Sequence, residues 1–502
     1  MQAGQKSSTP NFGKIRAFFW PIMGSELKKF LPMAFMQFLI IFIYTILRNT
    51  KDALVISEGG AAVIPFLKGY VVFPASILFV IGYGKLVDSL SKKAVFYTVV
   101  TFFLSFFTLF AFVFFPFKTL FHPSAEFVLS LKQSYPALTH FFSIFQTWTY
   151  SLFYVMSELW GSVMNALLFW QFANEITKTE EAKRFYAMFI LLANFSMILS
   201  GISVKVFSMG STLMMVQLIC GVTLLGGIGI CYLYRWVHTH VLTDRRFFNP
   251  DEQEKKPKKA KVKLSVFDSF RMVLSSSYLM MIALLVLCYG ISINLIELLW
   301  KNQMNIQFPN PTDYNSFMGY YSSGTGIATI LVILTSKSVI TRFGWFWGAI
   351  VTPFTILITG LIFFACVLFS DLMDPLVSMM GVNSLLVSVW IGTIQNVLSK
   401  SVKYGLFDPT KEMAYIPLDY ESRAKGKAAV EVLGGRLGKA GGGYLSSGLL
   451  MLAATIGWES SVTSIAPILS LLIIAVIVIW IYAVFTLNKL YQKAVQSPGS
   501  QQ

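Results

Sequence analysis

Twelve long apolar stretches constrain the fold of this chain more than any other feature of its sequence. Each is about 18 or more residues long, close to the length that an α-helix needs to cross a bilayer, and most are separated by short polar segments. They predict an all-α polytopic membrane protein with twelve transmembrane helices. The predicted spans are 30–47, 61–83, 94–115, 138–173, 185–207, 212–234, 278–300, 316–340, 344–369, 375–399, 427–455 and 463–487.

The composition leaves no room for a large soluble domain, because 55% of the 502 residues are hydrophobic and only 13% are charged. The four cysteines lie in apolar stretches without metal-ligand or redox spacing. The four histidines fall at or near loops and form no catalytic pattern. No metal ion and no cofactor is therefore expected.

The longest polar interruption contains the run DEQEKKPKKAKVK and divides the predicted spans into two groups of six. Two six-helix bundles that rock about a midplane site are the architecture of the major facilitator superfamily. The predicted organisation is a tail with an interfacial helix (1–29), an N-terminal bundle (30–236), a basic linker (237–277), a C-terminal bundle (278–487) and a second tail (488–502).

Lysine and arginine are concentrated in the tails and alternate loops, which places the linker and both termini in the cytoplasm. The net charge of +16 is therefore a topology signal, and no nucleic-acid partner is expected. The lipid bilayer is the expected environment.

A few charged residues are stranded inside the apolar stretches. A charge at the bilayer centre costs about 2.5–3.5 kcal/mol on insertion scales, so such residues usually mark a substrate or ion pathway. The excess is cationic, which points to an anionic cargo. The candidates are Glu158 and Lys439 midway along their stretches and Arg48, Lys51, Lys68, Glu297 and Arg436 nearer the ends.

Lys51 and Glu158 each admit a structural explanation. Lys51 lies near the predicted outer boundary, where a lysine can extend its ammonium to the headgroups, although the apolar run ALVIS after Asp52 suggests that the helix continues. Arg48 is one turn away on the same face, so both cations could meet one polyphosphate. Glu158 has no nearby loop and must be protonated or paired with a buried cation, which could simply hold two helices together.

Glu297 precedes Lys301 by four residues, so a local helical ion pair is an alternative to a substrate role. Lys439 lies in GGRLGKAGGG (434–443), where the glycines permit either close helix packing or backbone contacts with phosphate. The segment is not a nucleotide-hydrolysing P-loop, because Leu433 and Ala440 replace the required glycine and hydroxyl residue.

Lys68, in FLKGY, is a further phosphate candidate. The aromatic residues around Glu158 could include a stacking partner for a base: Trp148, Tyr150, Phe153, Tyr154 and Trp160. Packing in the core or against lipid is the alternative for each of them.

Six separated segments resemble one family. They are LRNTKDALV (47–55), FYVMSELWGSVMNALLFWQFANEIT (153–177), EEAKRFYAMF (180–189), CYGISINLIELLWKNQ (288–303), KEMAYIPLD (411–419) and KGKAAVEVLGGRLGKAGG (425–442). These segments resemble the non-mitochondrial ATP/ADP translocases of plastids and obligate intracellular bacteria. Four charged positions associated with transport in that family match Lys51, Glu158, Glu297 and Lys439. Many plant members read CNPLGKSGG at the last position, so Arg436 is an added charge here.

The resemblance implies a monomeric carrier in a bacterial inner membrane that takes up external ATP in exchange for internal ADP. A proton-coupled importer of a broader set of nucleotides is the alternative. A membrane-embedded transferase is disfavoured, because the outer loops are short and poor in paired carboxylates. A sugar or drug facilitator would not need so many embedded cations. The mitochondrial carrier class is excluded, because the chain has no threefold repeat of about 100 residues.

Overall fold

The computed structural model describes residues 13, 16, 20–244, 247, 266–379, 381–418, 426–430 and 437–496. Most of the predicted tail 1–29, about half of the basic linker 237–277 and Arg436 therefore lie outside the described residues. The described part of the chain is helical and contains no β-strand.

Eleven helices in the described part of the chain are long and apolar enough to cross a membrane. An additional 18-residue helix, Gly438–Thr455, lies in the predicted eleventh span. The all-α polytopic fold is thus confirmed. In chain order we label these helices α1 (Gly24–Gly59), α2 (Val63–Ser89), α3 (Lys92–Phe114), α4 (Trp148–Ile176), α5 (Arg184–Phe207), α6 (Thr212–His240), α7 (Ser277–Gln307), α8 (Pro311–Ser336), α9 (Ser338–Leu368), α10 (Ser384–Ala414), α11 (Gly438–Thr455) and α12 (Ala466–Gln496). The stretch Pro311–Leu368 that contains α8 and α9 is helical throughout except for a kink at Gly344, whose φ is 84°.

The first helix is longer than predicted. It begins at Gly24 and continues to Gly59, so residues 27–29, which we expected in an interfacial helix, belong to α1. The residue that follows its last turn is Gly60, whose positive φ of 76° suits a glycine at a helix end. The apolar run after Asp52 therefore extends the helix, as its composition suggested.

The tenth helix is shifted along the chain from its prediction. Residues Ser370–Ser378 form a short separate helix. The long helix begins at Ser384, where the Asn383 side chain accepts a hydrogen bond of 2.7 Å from the backbone N–H of Leu386. It continues to Ala414, so the predicted span 375–399 began too early and ended too soon.

Close contact between α5 and α8 joins the two halves of the chain. A Cβ atom on Gly201 would clash with the backbone carbonyl of Gly319, and one on Gly326 would lie 2.9 Å from that of Asn194. Glycine is required at such positions because the two backbones approach so closely.

Helices α1 and α7 lie inside the bundle, because most of their side chains are buried. The charged residues on these two helices are therefore placed in the interior of the protein.

Candidate functional site

A cavity of about 320 Å³ lies between the two halves of the chain. Its walls come from α1, α2 and α4 on one side and from α7, α10 and α11 on the other. This volume is within the range of small-molecule sites. Five of the seven predicted site residues line it. Among the residues that the structure describes, the charged lining residues are Arg48, Lys51, Lys68, Glu158, Glu297, Lys301, Lys400 and Lys403.

Three helices depart from α-helical geometry where they face this cavity. Residues Leu67–Val72 of α2, Gly161–Phe169 of α4 and Lys403–Phe407 of α10 are π-helical. Such wider turns are rare and occur frequently at functional sites. They bring Lys68, Ser162 and Tyr404 into the cavity wall.

Lys51 is buried inside the bundle. Only 1% of its surface is exposed, so the alternative of an ammonium extended to the headgroups is wrong. The Nζ atom lies 2.8 Å from Asp52 Oδ1 and 3.1 Å from Glu158 Oε1. It also lies 3.6 Å from the centre of the Tyr154 ring. Two carboxylates and a ring face therefore offset the cost of burying this cation.

Asp52 links the two halves of the chain, and our sequence reasoning did not select it. Its two carboxylate oxygens contact Lys51 Nζ at 2.8 Å and Lys301 Nζ at 2.9 Å. Asp52 is only 1% exposed. The signal was present in the sequence, because the apolar run that follows Asp52 implied that this residue, like Lys51, lies inside a helix.

Glu297 is surrounded by four cations. Its Oε1 atom lies 2.8 Å from Lys400 and 3.5 Å from Arg48, and its Oε2 atom lies 3.8 Å from Lys68 and 3.9 Å from Lys301. The local helical pair with Lys301 is the longest of the four. Lys301 instead has its closer carboxylate partner in Asp52, so a local ion pair does not account for Glu297.

Lys400 and Lys403 were missed because the predicted tenth span ended at residue 399. The real helix carries both lysines into the cavity wall. Lys400 reaches Glu297 of α7, and its Nζ atom lies 5.0 Å from the centre of the Tyr321 ring. Lys403 contacts Asp408 at 2.8 Å on its own helix. The apolar residues after 370 resembled the start of a span and displaced the predicted boundaries.

The site carries an excess of positive charge. The ion pairs of the described residues connect five cations, Arg48, Lys51, Lys68, Lys301 and Lys400, with three carboxylates, Asp52, Glu158 and Glu297. Five against three leaves two positive charges, while Lys403 is matched by Asp408. Because burying charge is costly without a partner, this excess favours an anionic ligand.

Three tyrosines line the cavity together with the charges: Tyr44, Tyr289 and Tyr404. The aromatic residues that we expected near a base are mostly used in packing. The Trp160 ring packs edge-on against Phe103, and the Trp148 indole N–H donates to the carbonyl of Phe121.

The glycine-rich segment packs closely, and its charged residues are only partly described. A Cβ atom on Gly438 would lie 3.2 Å from the Cα atom of Gly290 in α7, and one on Gly443 would lie 3.1 Å from the Pro65 carbonyl in α2. Close helix packing thus explains two of these glycines. Lys439 lies in the first turn of α11, but its side chain is not among those described, and Arg436 lies outside the described residues altogether.

Polar contacts join the two halves at one end of the cavity. Asn49 donates to Ser322 at 2.8 Å, and the Tyr444 hydroxyl donates to the Gly69 carbonyl at 2.9 Å. Along α1 the cavity wall continues from Lys51 through Arg48 to Tyr44, away from these contacts. We call the end of the cavity near these contacts the joined end.

The comparisons with known proteins agree over nearly the whole chain. A family model described as TLC ATP/ADP transporter matches residues 5–491. The chain belongs to this family. The transporter is 46% identical over 502 residues to ADP,ATP carrier protein 1 of Chlamydia pneumoniae, covering 97% of this chain and 96% of that protein. It is 41% identical over 493 residues to ADP,ATP carrier protein 1 of Rickettsia prowazekii, covering 97% and 98%.

A plant relative and two solved structures extend the comparison. The transporter is 42% identical over 479 residues to the chloroplastic ADP,ATP carrier protein 2 of Arabidopsis thaliana, covering 92% of this chain and 75% of that protein. Its fold is similar to that of the nucleoside transporter NupG, with a TM-score of 0.57, 11% identity and coverage of 92% and 99%. For a bacterial homologue of ferroportin the values are 0.55, 14%, 95% and 100%. Both likenesses show the fold, which is that of major-facilitator-like transporters.

Proposed function

We propose that this transporter exchanges external ATP for internal ADP by alternating access. The observation that carries the proposal is the interdomain cavity, in which five cations, three of them buried, face three carboxylates. A nucleotide polyphosphate would supply the missing negative charge. Rocking of the two halves about such a site would expose it alternately to each side.

In this proposal the phosphates and the base of the nucleotide bind in two different regions of the cavity. Arg48, Lys68 and Lys400 surround one carboxylate and bind the phosphates, since charge-assisted contacts are strong in a desolvated site. Tyr44 and Tyr404 line the same cavity and supply ring faces for the base.

The remaining predicted residues have supporting or additional roles. Lys51 is held in place by Glu158 and by Asp52, and contributes positive charge to the phosphate region. A role for Lys439 in phosphate binding rests on the family resemblance. Arg436, which is not part of the family pattern, is a candidate because it lies in the same glycine-rich segment.

The proposed setting is a bacterial inner membrane, with a monomeric carrier and both termini in the cytoplasm. The two six-helix bundles correspond to residues 30–236 and 278–487, joined by the basic linker. Under this orientation the joined end of the cavity faces outwards and the cavity extends towards the cytoplasm. Met209 and Met379 are exposed and lie near predicted outer loops. Cysteines introduced at these two positions should therefore react with a membrane-impermeant reagent added to intact cells, and a lack of reaction would contradict the orientation.

The deciding experiment is uptake of labelled ATP into liposomes that contain the purified full chain. Uptake that depends on internal ADP and persists with a proton uncoupler is expected. Liposomes without internal nucleotide are the control. ATP accumulation in these liposomes that follows an imposed pH gradient would contradict exchange and support the proton-coupled importer. Equal competition by GTP, CTP and UTP would also support that alternative.

A further inference from the structure

The Glu297 carboxylate has an unusual set of neighbours for a group within an anion-binding cavity. Four cations lie within 3.9 Å of it, and each of its two oxygens has two of them as neighbours. An ionised carboxylate offers about four lone-pair positions. Glu297 therefore occupies the place where the proposed phosphate-binding cations converge.

The distances show that this carboxylate does not satisfy its neighbours fully. Charge-assisted N–H···O contacts are usually about 2.7–2.9 Å long. Only Lys400, at 2.8 Å, reaches that range with Glu297, while Arg48 lies at 3.5 Å and Lys68 at 3.8 Å. A phosphate group has more oxygens and more charge than a carboxylate, so it offers these cations additional acceptors at that distance.

We propose that Glu297 is an internal substitute for a substrate phosphate group. Its carboxylate occupies the cationic centre when the carrier is empty, and a phosphate group of the nucleotide displaces it on binding. This inference rests on the proposed function and adds a competing anion to it. Glu297 thus opposes binding and limits affinity, whereas a residue that only holds the site together would support binding.

The displacement explains why an acid lies in a site for an anion. Without Glu297 the same group of residues would contain five cations and two carboxylates, and the surplus would rise from two charges to three. Such a site would hold a polyphosphate more tightly and release it more slowly. A moderate affinity on both sides of the membrane is what an exchanger needs, because every cycle ends in release.

The test is calorimetric binding of ATP, inorganic pyrophosphate and adenosine to the purified full chain in detergent. Glu297→Gln should bind ATP and pyrophosphate at least about tenfold more tightly, the size expected when one charged competitor is removed. Adenosine affinity should be unchanged, because adenosine lacks the phosphates. Nucleotide exchange in liposomes should become slower as release slows.

The control is Glu175→Gln, which removes a carboxylate that contacts Lys92 at 2.7 Å outside the cavity. Its binding should equal that of the unsubstituted chain. Weaker or unchanged ATP binding by Glu297→Gln would overturn this inference and leave the proposed function intact. A lack of ATP binding by the unsubstituted chain would overturn both.

Glu297→Asp provides a second measurement that keeps the charge. The shorter side chain withdraws the carboxylate from the cations, so pyrophosphate should bind more tightly than to the unsubstituted chain but less tightly than to Glu297→Gln. If the glutamine variant does not give monodisperse protein, the aspartate variant decides alone. A loss of affinity, or none gained, would then count against displacement.

Discussion

Substitution of Lys400 by glutamine tests the proposed phosphate region at a residue that the structure, and not the sequence, identified. Lys400 lies in the cavity wall, its side chain is 9% exposed, and its Nζ atom is 2.8 Å from Glu297. The substitution removes one of the two surplus positive charges. Glu297 keeps Arg48, Lys68 and Lys301 within 3.9 Å, so the bundle should remain assembled.

The expected magnitude follows from the loss of one charge-assisted contact with the substrate. Such a contact contributes about 1.5–3 kcal/mol. Since 1.4 kcal/mol corresponds to a factor of ten, KM for ATP should rise about 10- to 150-fold. The increase should be smaller for AMP, which carries less charge for the cation to meet. Initial rates of exchange in liposomes, normalised to the amount of reconstituted protein, would measure both values.

Two matched lysine variants serve as controls. Lys92→Gln removes a lysine whose side chain is 77% exposed, and should leave KM unchanged. Lys403→Gln affects the same helix, but Lys403 is already matched by Asp408 at 2.8 Å, so its effect should be smaller than that of Lys400→Gln. A change of less than about threefold for Lys400→Gln, with normal reconstitution, would refute the phosphate assignment.

Three other perturbations address different parts of the protein. Asp52→Asn weakens a buried ion pair with Lys301. The free energy of unfolding in detergent should fall by about 3–5 kcal/mol if the remaining contacts do not rearrange. An unchanged unfolding temperature would contradict this. Tyr404→Leu should raise KM for ATP while leaving pyrophosphate binding unchanged, because it removes a ring face from the nucleoside region; equal losses for both ligands would refute that division. Burial lowers the pKa of His140 from 6.5 to about 4 in the folded chain. As the pH falls from 6.5 towards 4, the unfolded chain therefore binds a proton at this histidine before the folded chain does, and the free energy of unfolding should decrease. Replacement by glutamine should remove that part of the pH dependence, and identical unfolding profiles of the two proteins would contradict this reasoning.

The sequence predicted the membrane-spanning fold because each span must bury every backbone polar group within a helix, and long apolar stretches are visible without tertiary information. The position at which α1 ends was harder to predict from the sequence. Lys51 looked like a boundary residue because charge normally ends a span. Its burial depends on Glu158 from α4 and on Tyr154, which are about 100 positions away in the chain.

Lys400 shows why part of the site was not predictable. Two apolar segments stand close together before it, and hydropathy does not decide which one forms the long helix. The cap at Asn383 and the contact with Glu297 of α7 favour the later segment.

The role of the glycines in α11 could not be decided from the sequence either. The run in α11 was compatible with phosphate binding or close packing, and only the neighbouring backbones show that Gly438 and Gly443 serve packing.

The fixed charges also determine what drives the proposed exchange. In a rocking mechanism the lysines and carboxylates of the site stay near their depth, so the charge moved per cycle is set by the two nucleotides. ATP carries one more negative charge than ADP, and its entry in exchange for ADP moves that charge inwards. An inside-negative potential opposes this by about 2.3 kcal/mol per 100 mV. The opposing ATP and ADP gradients must therefore supply roughly a fiftyfold ratio at that potential, unless another ion moves with ADP or ATP.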